Sequence, residues 1–167
     1  MSIYESATPK SETWEKSKKR PGETVIYQRH ITYSLKALAY LAAKPVNTVI
    51  NVKDMAEELD IPRHFLGKVL TDLVKKQLVV SAKGPTGGFK LAESSKNLSI
   101  YELLATLGGL SKLESSCIMG LDECVEEKPC ALHESWIEFK KSAVLKTQRL
   151  TLGEFSQNLS DRIVKRV

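Results

Sequence analysis

The chain has 167 residues, 25 Lys and Arg against 20 Asp and Glu, and a formal net charge of +5. That length supports one compact core with an appended element but not two large domains, and the basic excess admits a polyanionic partner without requiring one. No window approaches the ~18 apolar residues of a membrane span, and the start lacks the apolar core of a secretory signal. These features predict a cytoplasmic protein with no membrane partner, whose thiols stay reduced.

Residues 1–24 are polar and end in KSKKRPGE, which predicts a flexible arm with too little apolar surface to offset its ordering entropy. Its cations Lys16, Lys18, Lys19 and Arg20 suit either a solvated tail or a basic arm reaching nucleic acid. The periodicity then changes. Ile31, Leu35, Leu38 and Ala42 recur at helical steps and predict an amphipathic helix that stops before Lys44-Pro45. A short second helix is expected after the cap candidate Asn51, with Val52, Met55, Ala56 and Leu59 on its inner face. Asp60-Ile61 reads as a tight turn and Pro62 as the opening of a third helix. Phe65, Leu66, Val69, Leu70 and Leu73 form that helix's expected buried stripe.

LVVSAKGPTGGFKLAES predicts a hairpin, with Leu78, Val80 and Ala82 alternating inward before the glycine-rich tip and Phe89 and Leu91 after it. Ser99 and Glu102 fit a capping box for a fourth helix closed by Gly108-Gly109. No period runs from Ser111 to Pro129. Leu132, Trp136, Phe139, Ala143 and Leu150 then fall at heptad-like intervals on a long helix whose apolar seam needs a partner helix. Thr151 with Glu154 offers another capping box. The expected class is mainly α with a small β-hairpin. The divisions are a polar arm (1–24), a winged helix-turn-helix unit (25–108), a cysteine loop (109–130), a dimerisation helix with its following turn (131–157) and a fraying tail (158–167).

Helix, short helix, turn, helix and hairpin in that order predict DNA binding. The third helix would present Arg63, His64, Gly67, Lys68, Thr71 and Lys75 to a major groove. Gly67 costs about 1 kcal/mol relative to Ala in mid-helix, so it signals either close approach of DNA or a packing need. The wing would offer Lys83, Gly84, Thr86, Gly87 and Gly88, with Lys90 beyond, to phosphate or a minor groove. A winged helix used only for protein contacts is the alternative.

All three cysteines, Cys117, Cys124 and Cys130, lie within seventeen residues that end at His133. Three sulfurs and an imidazole suit an iron-sulfur cluster or tetrahedral zinc. The absence of a C-x2-C knuckle tilts the choice toward a cluster. A cluster-free thiol switch and three buried apolar cysteines are the alternatives, and Asp122, Glu123, Glu126 and Glu127 are poor company for the last. No nucleophile–base pair, phosphate loop or coupled carboxylates suggest an enzyme.

ITYSLKALAYLA, DIPRHFLGKVLTDLVKKQLVVSAKGPTGGFKLA, LSIYELLATL and the C-x6-C-x5-C-x2-H run ending in CALHESW together resemble the bacterial winged-helix iron-sulfur transcription regulators typified by IscR and the nitric-oxide-sensing repressor NsrR. The resemblance runs from about Val25 to Gln157. It implies a homodimeric regulator, a repressor by preference, that binds an inverted-repeat operator, with crossing C-terminal helices and a cluster loop near the partner's DNA-binding domain. Cys117, Cys124 and Cys130 match the family's cysteine ligands, and His133 the histidine of 2Fe-2S members. Thr32 stands where 4Fe-4S members carry an aspartate, which favours 2Fe-2S over 4Fe-4S, with His30 or a loop acid as other ligand candidates. A glutamate that the family often carries near Gly67 is absent, and the arm before Val25 is longer than usual for the family.

Overall fold

The computed structural model of the chain describes residues 29–84, 87–110, 117–119 and 126–163, with side chains in the last segment as far as residue 157. Among these, the order is α1 (Arg29–Ala42), α2 (Val52–Leu59), α3 (Arg63–Lys75), β1 (Val79–Ala82), β2 (Gly88–Leu91), a 3-10 turn (Glu93–Asn97), α4 (Ile100–Leu107), α5 (His133–Arg149) and α6 (Leu152–Ile163). The expected class, mainly helical with one small antiparallel hairpin, is the one observed.

α1 is the centre of the core. Its expected stripe is buried at Ile31, Leu38 and Ala42, but Ala37, Ala39, Tyr40 and Leu41 are buried as well. The helix is closed on nearly all sides because α2, α3, α4, β2 and α6 all pack on it. Its alanines allow that close approach, and the buried Ser34 hydroxyl is satisfied by donating to the His30 carbonyl at 2.8 Å. Burial, followed by a hydrogen bond and negative charge from Glu58, pushes the Tyr40 phenol well above its ordinary value, so it stays neutral.

The Asn51 side chain accepts from the Asp54 amide at 3.0 Å and starts α2 as expected. α2 stops at Asp60, a left-handed residue with φ 53°, while the Ile61 amide reaches back to the Ala56 carbonyl at 3.1 Å. That reversal is the turn that aims α3. α3 ends in a Schellman arrangement: Gln77 has φ 60°, its amide donates to Val74, and the Leu78 amide donates to Leu73, each at 3.0 Å.

This ending explains a correction to the hairpin. Leu78 is buried as the apolar residue that seals the helix end, so the strand begins one residue later than its alternation implies. Val79 therefore faces the core at 2% exposure, and Val80, expected inside, is 43% exposed. The register pairs Val79 with Leu91 and Ser81 with Phe89, which puts Phe89 and Leu91 on the inner face as expected. Ile50 pairs with Phe89 on the free side of β2, through Ile50 N to Phe89 O at 2.9 Å and Phe89 N to Ile50 O at 2.8 Å.

The Ser99–Glu102 capping box is present in full, and Gly108 closes α4 with φ 76°. α6 starts from the equivalent Thr151–Glu154 pair. Backbone bonds from Ile100 N to Leu150 O and from Leu152 N to Leu98 O, both 2.8 Å, pin the α5–α6 corner against the start of α4. The helix runs on to Ile163, into the stretch expected to fray as a tail. Its cap and the complete burial of Leu152 and near-complete burial of Ser156, with α6 packed on α1, supply the tertiary support that a weak sequence pattern hides. The polar arm, the hairpin-tip residues Pro85 and Thr86, and most of the cysteine loop lie outside the described residues.

Candidate nucleic-acid interface and cysteine segment

α3 turns its leucines inward, with Leu66, Leu70 and Leu73 wholly buried. The opposite face exposes Arg63, His64, Lys68, Thr71 and Lys75. Gly67 lies on this face, and a Cβ built there meets nothing within 4 Å. A packing need is therefore removed as the reason for this glycine. The exposed Thr71 hydroxyl donates to the Gly67 carbonyl at 2.8 Å, and its oxygen keeps the capacity to accept a hydrogen bond.

Phe65 departs from its expected place in the core. It is 44% exposed, its ring centroid 4.3 Å from that of His64. With Lys68, Val69 and Asp72 it forms one wall of a largely apolar cavity of about 310 Å³, whose other wall is Arg29, His30, Tyr33 and Ser34 of α1. Helical spacing groups Phe65 with Val69 in the sequence, but it does not show that α1 leaves this edge of α3 uncovered.

In the wing, Lys83 and Gly84 are exposed. Gly84 has φ 116°, and its carbonyl accepts from the Gly87 amide at 2.9 Å, which closes the turn. Gly87 and Gly88 have structural reasons of their own. A Cβ on Gly87 would stand 2.7 Å from the Ala82 carbonyl oxygen, and one on Gly88 would collide with the backbone of Ile50. Lys90 is held by the Asn47 side chain at 2.7 Å, on the loop between α1 and α2. Thr86 lies outside the described residues.

Of the cysteine segment, Cys117 and Cys130 are described and Cys124 is not. Cys117 is buried and Cys130 half-buried. A backbone turn joins Cys130 to His133: the His133 amide donates to the Cys130 carbonyl at 3.0 Å, and the chain runs directly into α5. His133 is buried, on the inner side of α5 with Lys140. Among the described residues, no three His, Cys, Asp or Glu side chains gather as a metal-binding group. The donor chemistry nonetheless fits a sulfur-bound metal centre, since a buried and a half-buried cysteine with a buried histidine are the soft and borderline ligand types such centres use.

The expected α5 seam divides. Trp136 and Ala143 are half-buried, whereas Leu132 and Phe139 are 45% and 52% exposed, joined by Leu145 at 54%. The Trp136 and Phe139 rings stack with centroids 5.3 Å apart. Among the described residues, no helix is long and apolar enough to cross a membrane.

Comparison with known proteins gives this geometry a family. The Rrf2 model, described as iron-dependent transcriptional regulator, matches residues 27–158. An HTH-type transcriptional regulator candidate of Aquifex aeolicus is 36% identical over 118 residues, covering 70% of this chain and 81% of that protein. The HTH-type transcriptional regulator NsrR of Oceanobacillus iheyensis is 30% identical over 105 residues, 63% of this chain and 71% of its own. Two solved structures share the fold at 19% identity. CymR, the global cysteine regulator of B. subtilis, has a TM-score of 0.63 and covers 81% of this chain and 98% of its own. IscR of T. potens has a TM-score of 0.54, with 87% and 95% covered. With its winged-helix architecture and a family match spanning most of its length, the chain belongs to the Rrf2 family and is a DNA-binding transcriptional regulator rather than an enzyme.

Proposed function

We propose that this regulator works as a homodimer, a repressor by preference, that reads an inverted-repeat operator with α3 and the wing, and whose affinity is set by an iron-sulfur group held by Cys117, Cys124, Cys130 and His133. The observation that carries the cofactor part is the placing of His133, buried one turn after Cys130 at the start of the helix with the exposed apolar seam. The iron-dependent description of the family and the likeness to NsrR and IscR support it. Thr32, in place of the aspartate of 4Fe-4S relatives, favours a 2Fe-2S group with His133 as the fourth ligand.

When bound, such a group would supply a centre sensitive to electrons, iron supply and nitric oxide. This chain's residues supply the connection. Cys117 follows α4, which packs on α1, while Cys130 and His133 open α5. Donors at both ends of the segment tie the DNA-binding unit to the helix that pairs the subunits. A bias of about 1–3 kcal/mol between two arrangements changes DNA affinity some 5- to 150-fold.

Anaerobic purification with iron, sulfide and zinc analysis and an absorption spectrum tests the cofactor. Iron and sulfide in equal amounts, lost in Cys117→Ala while that variant still folds, is the expected result. A colourless protein with one zinc per chain, refractory to anaerobic reconstitution, would overturn it. A cluster-free thiol switch is the second reading, favoured by the likeness to CymR, for which an oxidized form from Staphylococcus aureus is known. It predicts operator affinity that responds to a thiol oxidant in iron-free protein.

A further inference from the structure

We propose that the cavity between α1 and α3 is an effector site for a small aromatic carboxylate, and that filling it weakens operator binding by engaging Lys68. The site itself stands on the cavity alone, whereas its coupling to DNA rests on the reading of α3 as the groove-reading helix.

Size and lining set the body of the ligand. The cavity holds about 310 Å³, at the small end of the ~300–1,000 Å³ of small-molecule sites and about twice the ~150 Å³ that accommodates benzene. That is room for one ring with a short chain. The buried Val69 and the buried Ser34 lie within it, and the Ser34 hydroxyl is already committed to the His30 carbonyl at 2.8 Å. Tyr33 of α1 and Phe65 of α3 bring an aromatic side chain to each wall, which suits a flat apolar body. Both walls belong to helices anchored in the core, through Ile31 and Leu38 on one side and Leu66 and Leu70 on the other, so the site is preformed.

The rim sets the charge of the ligand. Arg29, His30 and Lys68 line the cavity and are exposed, Arg29 and Lys68 standing on facing helices. Asp72 is the acid of the lining, and its carboxylate lies 4.0 Å from the Lys76 ammonium, which offsets its charge. Among the described residues Lys68 makes no ion pair. An apolar cavity with cations at its mouth takes an anionic head on an apolar body, and a carboxylate gains a charge-assisted hydrogen bond there that a neutral amide of the same shape does not.

Lys68 also links the site to DNA. It lines the cavity and is exposed beside His64 and Thr71 on the basic face of α3. An ammonium drawn to a carboxylate in the cavity is withdrawn from a phosphate, so ligand and operator compete for one cation. Each therefore weakens the other by the same factor. Phe65 adds a second link, since its ring lies in the cavity wall with its centroid 4.3 Å from that of His64.

The test uses the full chain with phenylacetate and its neutral counterpart phenylacetamide. In calorimetric titration of the protein alone, phenylacetate should bind with a Kd on the order of 0.1 mM, within what its few heavy atoms can supply, and phenylacetamide at least tenfold more weakly. In methyl-labelled protein the Val69 resonances should move along that titration, while those of the exposed Val46, on the loop between α1 and α2, stay still. Lys68→Gln, at an exposed position, should fold normally and bind phenylacetate no better than wild type binds phenylacetamide. On a duplex selected from a randomised library, saturating phenylacetate should weaken wild-type binding about five- to tenfold and leave the already weaker Lys68→Gln unchanged. Equal affinity for the two compounds or unmoved Val69 methyls would overturn the site, and operator binding indifferent to phenylacetate would overturn the coupling. A wild-type protein that selects no duplex removes the α3 reading and the coupling with it, while the titration still decides the site.

Discussion

Two glycines on the proposed DNA-facing side behave oppositely. Gly67 is helical with open space where a Cβ would go, so Gly67→Ala should stabilise the fold by about 0.5–1 kcal/mol through helix propensity alone. If DNA backbone approaches that bare stretch of α3, the same variant loses operator affinity while gaining stability, and denaturation with binding titration on one sample separates the two effects. Gly88→Ala should instead destabilise by about 1–3 kcal/mol, because the added methyl meets the Ile50 backbone that pairs with Phe89. Among the apolar residues of α3, Leu66→Ala should cost about 2–5 kcal/mol in urea denaturation. Phe65→Ala, half exposed beside His64, should cost less. Sequence alone could not order that pair, since helical spacing assigns a residue to a face but does not say how far the neighbouring helix extends over it.

At the scale of elements, the legible features were those whose partners lie within a few residues. Asn51, Ser99–Glu102 and Thr151–Glu154 cap as their spacing announces, because a cap needs only its own first turn. The phase of β1 was illegible because it is set by the left-handed Gln77 at the end of α3, and Leu-Val-Val offers apolar residues in either phase. The extent of α6 was likewise hidden, since its stability comes from α1, more than a hundred residues earlier. The caps also predict a pH dependence. Hydrogen bonds from the backbone and hydroxyl of Ser99 lower the Glu102 pKa from its ordinary 4.5, and those of Thr151 do the same for Glu154. A carboxylate with a depressed folded pKa stabilises the fold above its unfolded value and loses that contribution as pH falls through the folded one. Thermal melts should therefore lose stability progressively below about pH 4.5. Because the backbone donors of Ser99 and Thr151 contribute most and survive substitution there, Glu102→Gln combined with Glu154→Gln should flatten that acid limb.

For the whole molecule, the exposed Leu132, Phe139 and Leu145 leave α5 with an apolar surface that the described part of its own chain does not cover. If the homodimer proposed above pairs through this surface, Phe139→Glu should shift sedimentation from dimer to monomer and reduce operator affinity at least tenfold, because each half-site then binds alone. An unchanged sedimentation coefficient would mean that α5 is not the pairing surface. Residue type and proximity in sequence suffice to propose the cysteines and His133 as a set of donors. Whether those donors converge is not legible in the sequence, because it depends on the path between α4 and α5, and Cys124 lies on the part outside the described residues.

The corner between α5 and α6 has a mechanical consequence. Leu150 and Leu152 are bonded to Ile100 and Leu98, and Leu152 is fully buried, so the C-terminal end of α5 is a fixed fulcrum on the DNA-binding unit. His133 and Cys130 sit at the other end, about 25 Å away for a helix of 17 residues. A displacement of about 2 Å at that end is a swing of only about 5° over this length. In the homodimer proposed above, such a swing carried into the partner's α5 would change the spacing of the two α3 helices while the fold of each unit stays intact.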